Sequence, residues 1–386
     1  MNEKESSFDF LDDEDTGRED SGFTPWDPTK IRITTKHISL RDIVDQISDA
    51  EIDLSPDFQR DYVWKNKQRT RLIESILLGI PLPAFYFNQD KEGTYQVVDG
   101  VQRLSTISLF MKDKHVLDRG DLEYLHGQHE STYSQLDPAT QRRFRSTQIV
   151  VHIIEPQTPD EVKYDIFGRV NTLGSPLSAQ EIRHAMSKPR SRTFLKELSE
   201  LPSFDKATDG SFWKKGSNGA FFRDSLRMTN RELALRFCAF RSYSDTDYRQ
   251  HSGLDAYLVE FTRRLDGRSE SGIIITDNDL EKLKVEFDRA MINANRILGK
   301  SAFRRNGLSD KRRGRINRAV FESQAIAFAD YSLNQLVPKK MKIETALRDV
   351  FAENAYLRST TVGTGDPKAV QIRMQRIREI LAEIIN

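Results

Sequence analysis

Between the apolar run ending at Val97-Val98 and the apolar spacing Leu104, Ile107, Phe110 lies a polar turn, Asp99-Gly100-Val101-Gln102-Arg103. A strand that delivers the chain to Asp99-Gly100, followed at once by a helix, leaves the first amides of that helix without internal partners. Those amides carry the positive end of the helix dipole, so the turn suits a phosphate or another anion. Gly100 lets a ligand approach the backbone. Gln102 can both donate and accept, and Arg103 offers a fork matched to phosphate. Ser105 and Thr106 add hydroxyls in the first turn. Asp99 has the chemistry to hold a magnesium ion or to activate water. The plainer reading is a helix cap at Asp99 and a surface ion pair at Arg103. Two observations favour a ligand: the turn follows the carboxyl end of a strand, where ligands of α/β sheets gather, and a second cluster, Asp57 with Gln59-Arg60, precedes the neighbouring apolar helix.

The elements that must position these residues are legible in the spacing. Residues 31–35 alternate like a short strand, and 39–47 have helical spacing behind a serine cap. Leu72, Ile73, Ile76 and Leu77 form one helical stripe that Gly79 can stop and Pro81 and Pro83 keep from resuming. Residues 84–88 and 94–98 read as strands and 102–111 as a helix. Residues 112–147 are polar and weakly patterned, and 149–154 is the most strand-like run in the chain. Thr158-Pro159-Asp160-Glu161 and Ser178-Ala179-Gln180-Glu181 each read as a capping box that opens a helix. Beyond Pro189 only 272–276 looks like a strand, while 230–240, 254–265, 279–298, 318–336, 343–353 and 369–385 read as amphipathic helices. Residues 205–219 read as a mobile loop rich in glycine, lysine and serine. The expected organisation is an acidic disordered leader over 1–29, an α+β domain over 30–187 and an all-α domain over 188–386.

A chain of 386 residues favours two folded units. Residues 1–20 hold nine acidic and two basic side chains, so the net charge of +1 leaves +8 on the rest, which permits a nucleic-acid partner. No apolar stretch has the length of a membrane span, and no basic-then-apolar leader opens the sequence. Cys238 is the only cysteine, which excludes an intrachain disulfide and a thiolate zinc site. A cytoplasmic location is the expectation.

Three motifs occur in order: Asp57-Phe58-Gln59-Arg60-Asp61-Tyr62-Val63-Trp64, then the segment from Leu72 through Gly79 to Pro83, then Val98-Asp99-Gly100-Val101-Gln102-Arg103-Leu104-Ser105-Thr106. Together they resemble the N-terminal domain of GmrSD-type modification-dependent restriction systems, which has a ParB/sulfiredoxin-like fold. Phe167-Gly168-Arg169-Val170-Asn171 and the segment from Leu177 to Ala185 resemble a later part of the same family. The resemblance runs from about Ile38 to the helical region near Phe261, with a weaker echo at 314–322. The family motif usually reads Asp-Gly-Gln-Gln-Arg and is tied to nucleoside triphosphate (NTP) binding and hydrolysis. The resemblance therefore implies a catalytic set of Asp99, Gln102 and Arg103. It implies nucleotide contacts from Gly100, Gln59, Arg60, Ser105, Thr106, Asn171 and Arg183, with Mg2+ accompanying the NTP. Val101 stands where the family has glutamine. Valine cannot hydrogen-bond, so the resemblance implies binding more strongly than hydrolysis. Glu181 is equally well explained as a cap, and Arg183 and His184 as solvated.

Gly299-Lys300-Ser301 ends like a phosphate-binding loop but follows a helix and lacks the upstream glycine. His126 and His129 have no second ligand pair, and no metal site is expected. Glu161-Val162-Lys163 lies at a helix start, and Cys238 sits among apolar neighbours. The nuclease domain often fused after the family's N-terminal domain has no counterpart, because no histidine follows His251. A nuclease in a partner protein is therefore expected. Arg304-Arg305 and the run of Lys311, Arg312, Arg313 and Arg315 form the densest basic stretch, suited either to solvent or to DNA phosphates. Three functions follow: an NTP-binding, NTP-hydrolysing component of a restriction or anti-phage system; a DNA-binding or DNA-cleaving protein; and a regulatory interaction protein with a vestigial nucleotide site.

Overall fold

The computed structural model describes residues 28–54, 64–128, 130–170, 178–216, 219–224, 227–269, 271–305 and 314–386. The leader at 1–27 and the calls on Gln59, Arg60, Asn171, Lys311, Arg312 and Arg313 lie outside the described residues. The chain divides between Met186 and Ser187 into two compact units.

The first unit is α+β. Its elements are β1 (Ile33–Ser39), α1 (Leu40–Ser48), β2 (Ile52–Asp53), α2 (Asn66–Leu77), β3 (Phe85–Gln89), β4 (Tyr95–Asp99), α3 (Val101–Met111), α4 (Pro138–Ser146), β5 (Gln148–Ile154), α5 (Asp160–Val170) and α6 (Ala179–Met186). The strands form one mixed sheet in the order β1-β5-β3-β4-β2. β1 runs antiparallel to β5, β5 parallel to β3, β3 antiparallel to β4, and β4 parallel to β2.

Alternation places Ile149, Val151 and Ile153 of β5, with Phe85 and Phe87 of β3, on one face. There they pack against Ile43 of α1, Ile73 of α2, Leu104 and Ile107 of α3, and Phe144 of α4. The opposite face carries Val98 and Ile154 and is covered by Phe167 of α5 and by Ile182 and Ala185 of α6. Ser39 caps α1 by accepting from the Asp42 amide, and Gly79, at φ +78°, ends the α2 segment. Among the described residues of 112–147 only α4 and short 3-10 turns are regular. Thr158 does not sit idle before α5: its hydroxyl accepts from Arg32 N and donates to Arg32 O, each at 3.0 Å, which ties the start of α5 to β1.

The second unit is helical apart from one hairpin. It comprises α7 (Pro189–Ser199), α8 (Pro202–Ala207), β6 (Trp213–Lys215), β7 (Phe221–Arg223), α9 (Thr229–Arg241), α10 (Asp245–Tyr248), α11 (Leu254–Leu265), α12 (Asp277–Leu298), α13 (Arg318–Ala329), α14 (Leu333–Leu336), α15 (Lys340–Asp349), α16 (Asn354–Ser359) and α17 (Pro367–Ile385). Residues 272–276 form no strand, and the only strands of the unit among the described residues arise within and just beyond the 205–219 segment expected to be a loop. The expected helix over 318–336 is two helices broken at Asp330–Ser332.

The amphipathic reading also changes for α9 and α13. Every residue of α9 but Arg241, and every residue of α13 but Arg318, is buried. A helix buried on all faces needs internal partners for its polar side chains. Glu322 of α13, fully buried, accepts from Arg236 of α9 at 2.7 Å and from Arg373 of α17 at 2.6 Å, while Arg236 also bonds Glu232 at 2.7 Å. These contacts knit three helices around one charge cluster. Among the described residues no helix is long and apolar enough to cross a membrane.

Candidate functional site

β4 and α3 do what the polar turn requires. Gly100 is the N-cap of α3 at φ +102°, ψ +7°, and no side chain caps the helix. Asp99 is therefore not the cap. A Cβ on Gly100 would meet Phe85 Cδ1 at 2.2 Å, so both the left-handed backbone and the ring beneath it require glycine here. Tyr86 pairs with Asp99 but Phe87 with Val97, which makes Val98 an extra residue in β4. Such a bulge re-aims the end of a strand, and here it precedes Asp99.

Asp99 is drawn to the side by Arg103, whose Nη2 donates to Asp99 Oδ2 at 2.8 Å. The same guanidinium donates to the carbonyls of Pro83 and Ala84 and lies over the Phe85 ring at 4.1 Å from its centroid. Burial lowers the pKa of Arg103 below the usual arginine value, and the Asp99 carboxylate opposes the shift. Arg103 is thus a clamp that joins the loop before β3 to the end of β4, and its ion pair is made with Asp99.

Within α3, Ser105 is half-buried, whereas Thr106 is fully buried and its hydroxyl donates to Gln102 O at 2.8 Å. Thr106 is committed to the helix and the core. Val101 is also a core residue, 7% exposed and packed with Leu104 and Phe85. The position at the motif's centre therefore points its side chain into the protein.

Along the register, Thr35, His152, Tyr86 and Asp99 occupy one rung across β1, β5, β3 and β4. Thr35 Oγ1 lies 2.9 Å from His152 Nδ1, and the rings of Tyr86 and His152 are 4.9 Å apart. Tyr86 and His152 escape a reading of the sequence because only the strand order places Tyr86 beside Asp99 and His152 beside Tyr86. α6 lies against β4 and α5. Its capping box is formed: Glu181 accepts from Ser178 N at 2.7 Å, and Ser178 Oγ accepts from Glu181 N. Arg183 and His184 are not solvated but each only 2% exposed, and Arg183 donates to Gln180 at 2.9 Å.

The basic stretch must be corrected at its start. Arg304 is 4% exposed, and its guanidinium donates to the carbonyls of Gly314, Lys300, Ala302 and Thr208 and to Ser211 Oγ. It organises its own loop and has no face for a phosphate. Arg305 is half-buried, and Arg315 is exposed. Burial pushes the Cys238 thiol well up, which keeps it from acting as a nucleophile. No group of three metal-ligating side chains occurs among the described residues.

No curated protein matches the chain. A solved structure, the C2221 form of a Pnob8-like ParB-N domain, is similar at 12% identity, covering 92% of this chain and 99% of that one, with a TM-score of 0.21, too low for a fold comparison. The GmrSD restriction endonuclease N-terminal domain family is matched over residues 40–187. That span contains the whole β4–Gly100–α3 turn, so this part of the chain is similar to the N-terminal domain of the GmrSD restriction endonuclease.

Proposed function

We propose that the turn between β4 and α3 binds the phosphates of an NTP, and that the chain is the nucleotide-binding component of a restriction system whose nuclease is a partner protein. The observation that carries this reading is Gly100: a left-handed glycine N-cap sets the positive end of the α3 dipole at the end of β4, and Arg103 holds Asp99 beside it. In this reading Gln102 and Ser105 contact the nucleotide. Asp99, whose Oδ2 is bonded to Arg103, would hold a Mg2+ ion accompanying the phosphates, a cation that commonly uses one or two carboxylates. Arg103 is a positioning residue. Arg183 and its neighbours on α6 support the site from the side of β4. Hydrolysis is the second step of the proposal: Mg2+ would offset phosphate charge, and Asp99 would orient water.

Calorimetric titration with ATP and with GTP, each with magnesium, tests the binding step. The expected result is saturable binding, weakened about tenfold by Gln102→Ala, the scale of one lost hydrogen bond to a charged group. Absence of binding to either nucleotide would leave the regulatory reading, a vestigial site, in its place.

A further inference from the structure

The hairpin β6–β7 of the helical unit presents a surface unlike the rest of that unit. Its root is fixed: Phe212 is fully buried and stacks on Phe204 at 5.4 Å, and Asp224 N donates to Phe212 O at 2.8 Å. Beyond that root the register pairs Trp213 with Arg223, Lys214 with Phe222, and Lys215 with Phe221. Cross-strand partners share a face, and alternate residues along a strand do too. One face therefore carries Trp213, Arg223, Lys215 and Phe221, two rings and two cations, of which Arg223 is paired with Asp205. Phe221 is 68% exposed and Trp213 41%, and Lys215 is exposed. The Arg223 guanidinium lies over the Trp213 ring at 4.9 Å, held there by Asp205 at 2.7 Å and by the Ser199 carbonyl at 3.0 Å.

We infer that this face is a binding site for single-stranded nucleic acid. Exposed rings stack on bases, and cations interleaved with them take the phosphates between those bases. Asp205 offsets the charge of Arg223, so the exposed Lys215 supplies the positive charge that complements that backbone. Trp213 and Phe221 are diagonal neighbours, about 7–8 Å apart in such a ladder. Bases in a duplex strand rise by about 3.4 Å, so two bases that each cover one ring must be unstacked from one another. A single strand allows that and a duplex does not. The site belongs to the helical unit and does not depend on the nucleotide turn.

The test uses the full chain and a fluorescein-labelled oligothymidine, read by anisotropy at low salt, with the matching duplex in parallel. The expected result is binding of the single strand in preference to the duplex, with affinity falling as salt rises. Phe221→Ala, at an exposed ring that the core does not need, should weaken binding about tenfold, the scale of one lost stacking contact. Lys215→Ala should weaken it less and flatten the salt slope. Trp213→Phe, which keeps a ring, should bind near the wild-type level while removing the tryptophan quenching that accompanies binding. No binding, equal or tighter binding of the duplex, or affinity unmoved by Phe221→Ala would overturn the inference. Phe221-dependent self-association without nucleic acid, seen by sedimentation, would assign the face to a second copy of the chain and overturn it too.

Discussion

Gly100→Ala adds a Cβ to a residue at φ +102°, placing it 2.2 Å from Phe85 Cδ1 and 2.8 Å from Cε1. Left-handed backbone costs a residue bearing Cβ about 1–2 kcal/mol, and relieving the overlap costs about 1–3 kcal/mol more. Phe85 is wholly buried and its ring carries the Arg103 guanidinium, so it cannot withdraw without loosening the clamp on Asp99. The expected loss from the α+β unit is therefore about 2–5 kcal/mol. Because two units can unfold separately, the assay is urea unfolding read by hydrogen-exchange mass spectrometry on peptides of β4 and α3. In a Phe85→Leu background, which removes the ring edge, Gly100→Ala should cost only the backbone share of about 1–2 kcal/mol. A Gly100→Ala protein that loses less than about 1 kcal/mol would refute the reasoning that backbone conformation and the Phe85 ring together demand glycine.

The remaining expectations concern groups whose partners the structure names. Glu74 is 3% exposed and accepts from the amides of Glu123, Tyr124 and Leu125 at 2.7–3.0 Å. Burial raises its pKa, but the three amides together with His126 outweigh burial and hold it below the usual glutamate value. The stability this contributes is present above the usual glutamate range and is lost as pH falls through the depressed value. Glu74→Ala should cost about 2–4 kcal/mol, and Glu74→Gln should make acid unfolding of this unit shallower; an unchanged acid limb contradicts this. Glu322→Gln takes the carboxylate from the buried Arg373 guanidinium and leaves Arg236 with Glu232 alone, so it should cost the helical unit about 3–5 kcal/mol in denaturant unfolding; a near-neutral result contradicts that reading. Val101→Gln places an amide in the core and should destabilise by about 1–3 kcal/mol, seen as a lower Tm; an unchanged Tm would mean that this side chain faces out.

The strand, turn and helix around Asp99 were legible because a polar turn lies between two apolar runs of different period. Gly100 was legible for the same reason. What Arg103 does was not: its partners, the carbonyls of Pro83 and Ala84, come from the loop before β3, and only the pairing of β3 with β4 brings them close. Thr106 read as a first-turn hydroxyl, but α3 turns that side chain into the core. The basic stretch misled in a similar way, since an arginine that satisfies several carbonyls of one loop looks, in sequence, like its solvated neighbours. Local spacing also cannot distinguish a helix buried on one face from α9 and α13, which are enclosed by other helices and whose charges find partners far along the chain. The hairpin was hidden by its glycines and lysines, which signal a loop as readily as a tight turn between two short strands.

The central claim, that an NTP seats its phosphates on the amides at the start of α3, is tested most directly by hydrogen exchange of the wild-type chain with and without a non-hydrolysable nucleotide and magnesium. The predicted result is dose-dependent slowing in peptides covering residues 100–104, shifted to about tenfold higher nucleotide concentration in Gln102→Ala. Nucleotide binding that leaves 100–104 unchanged and slows exchange elsewhere would contradict the account.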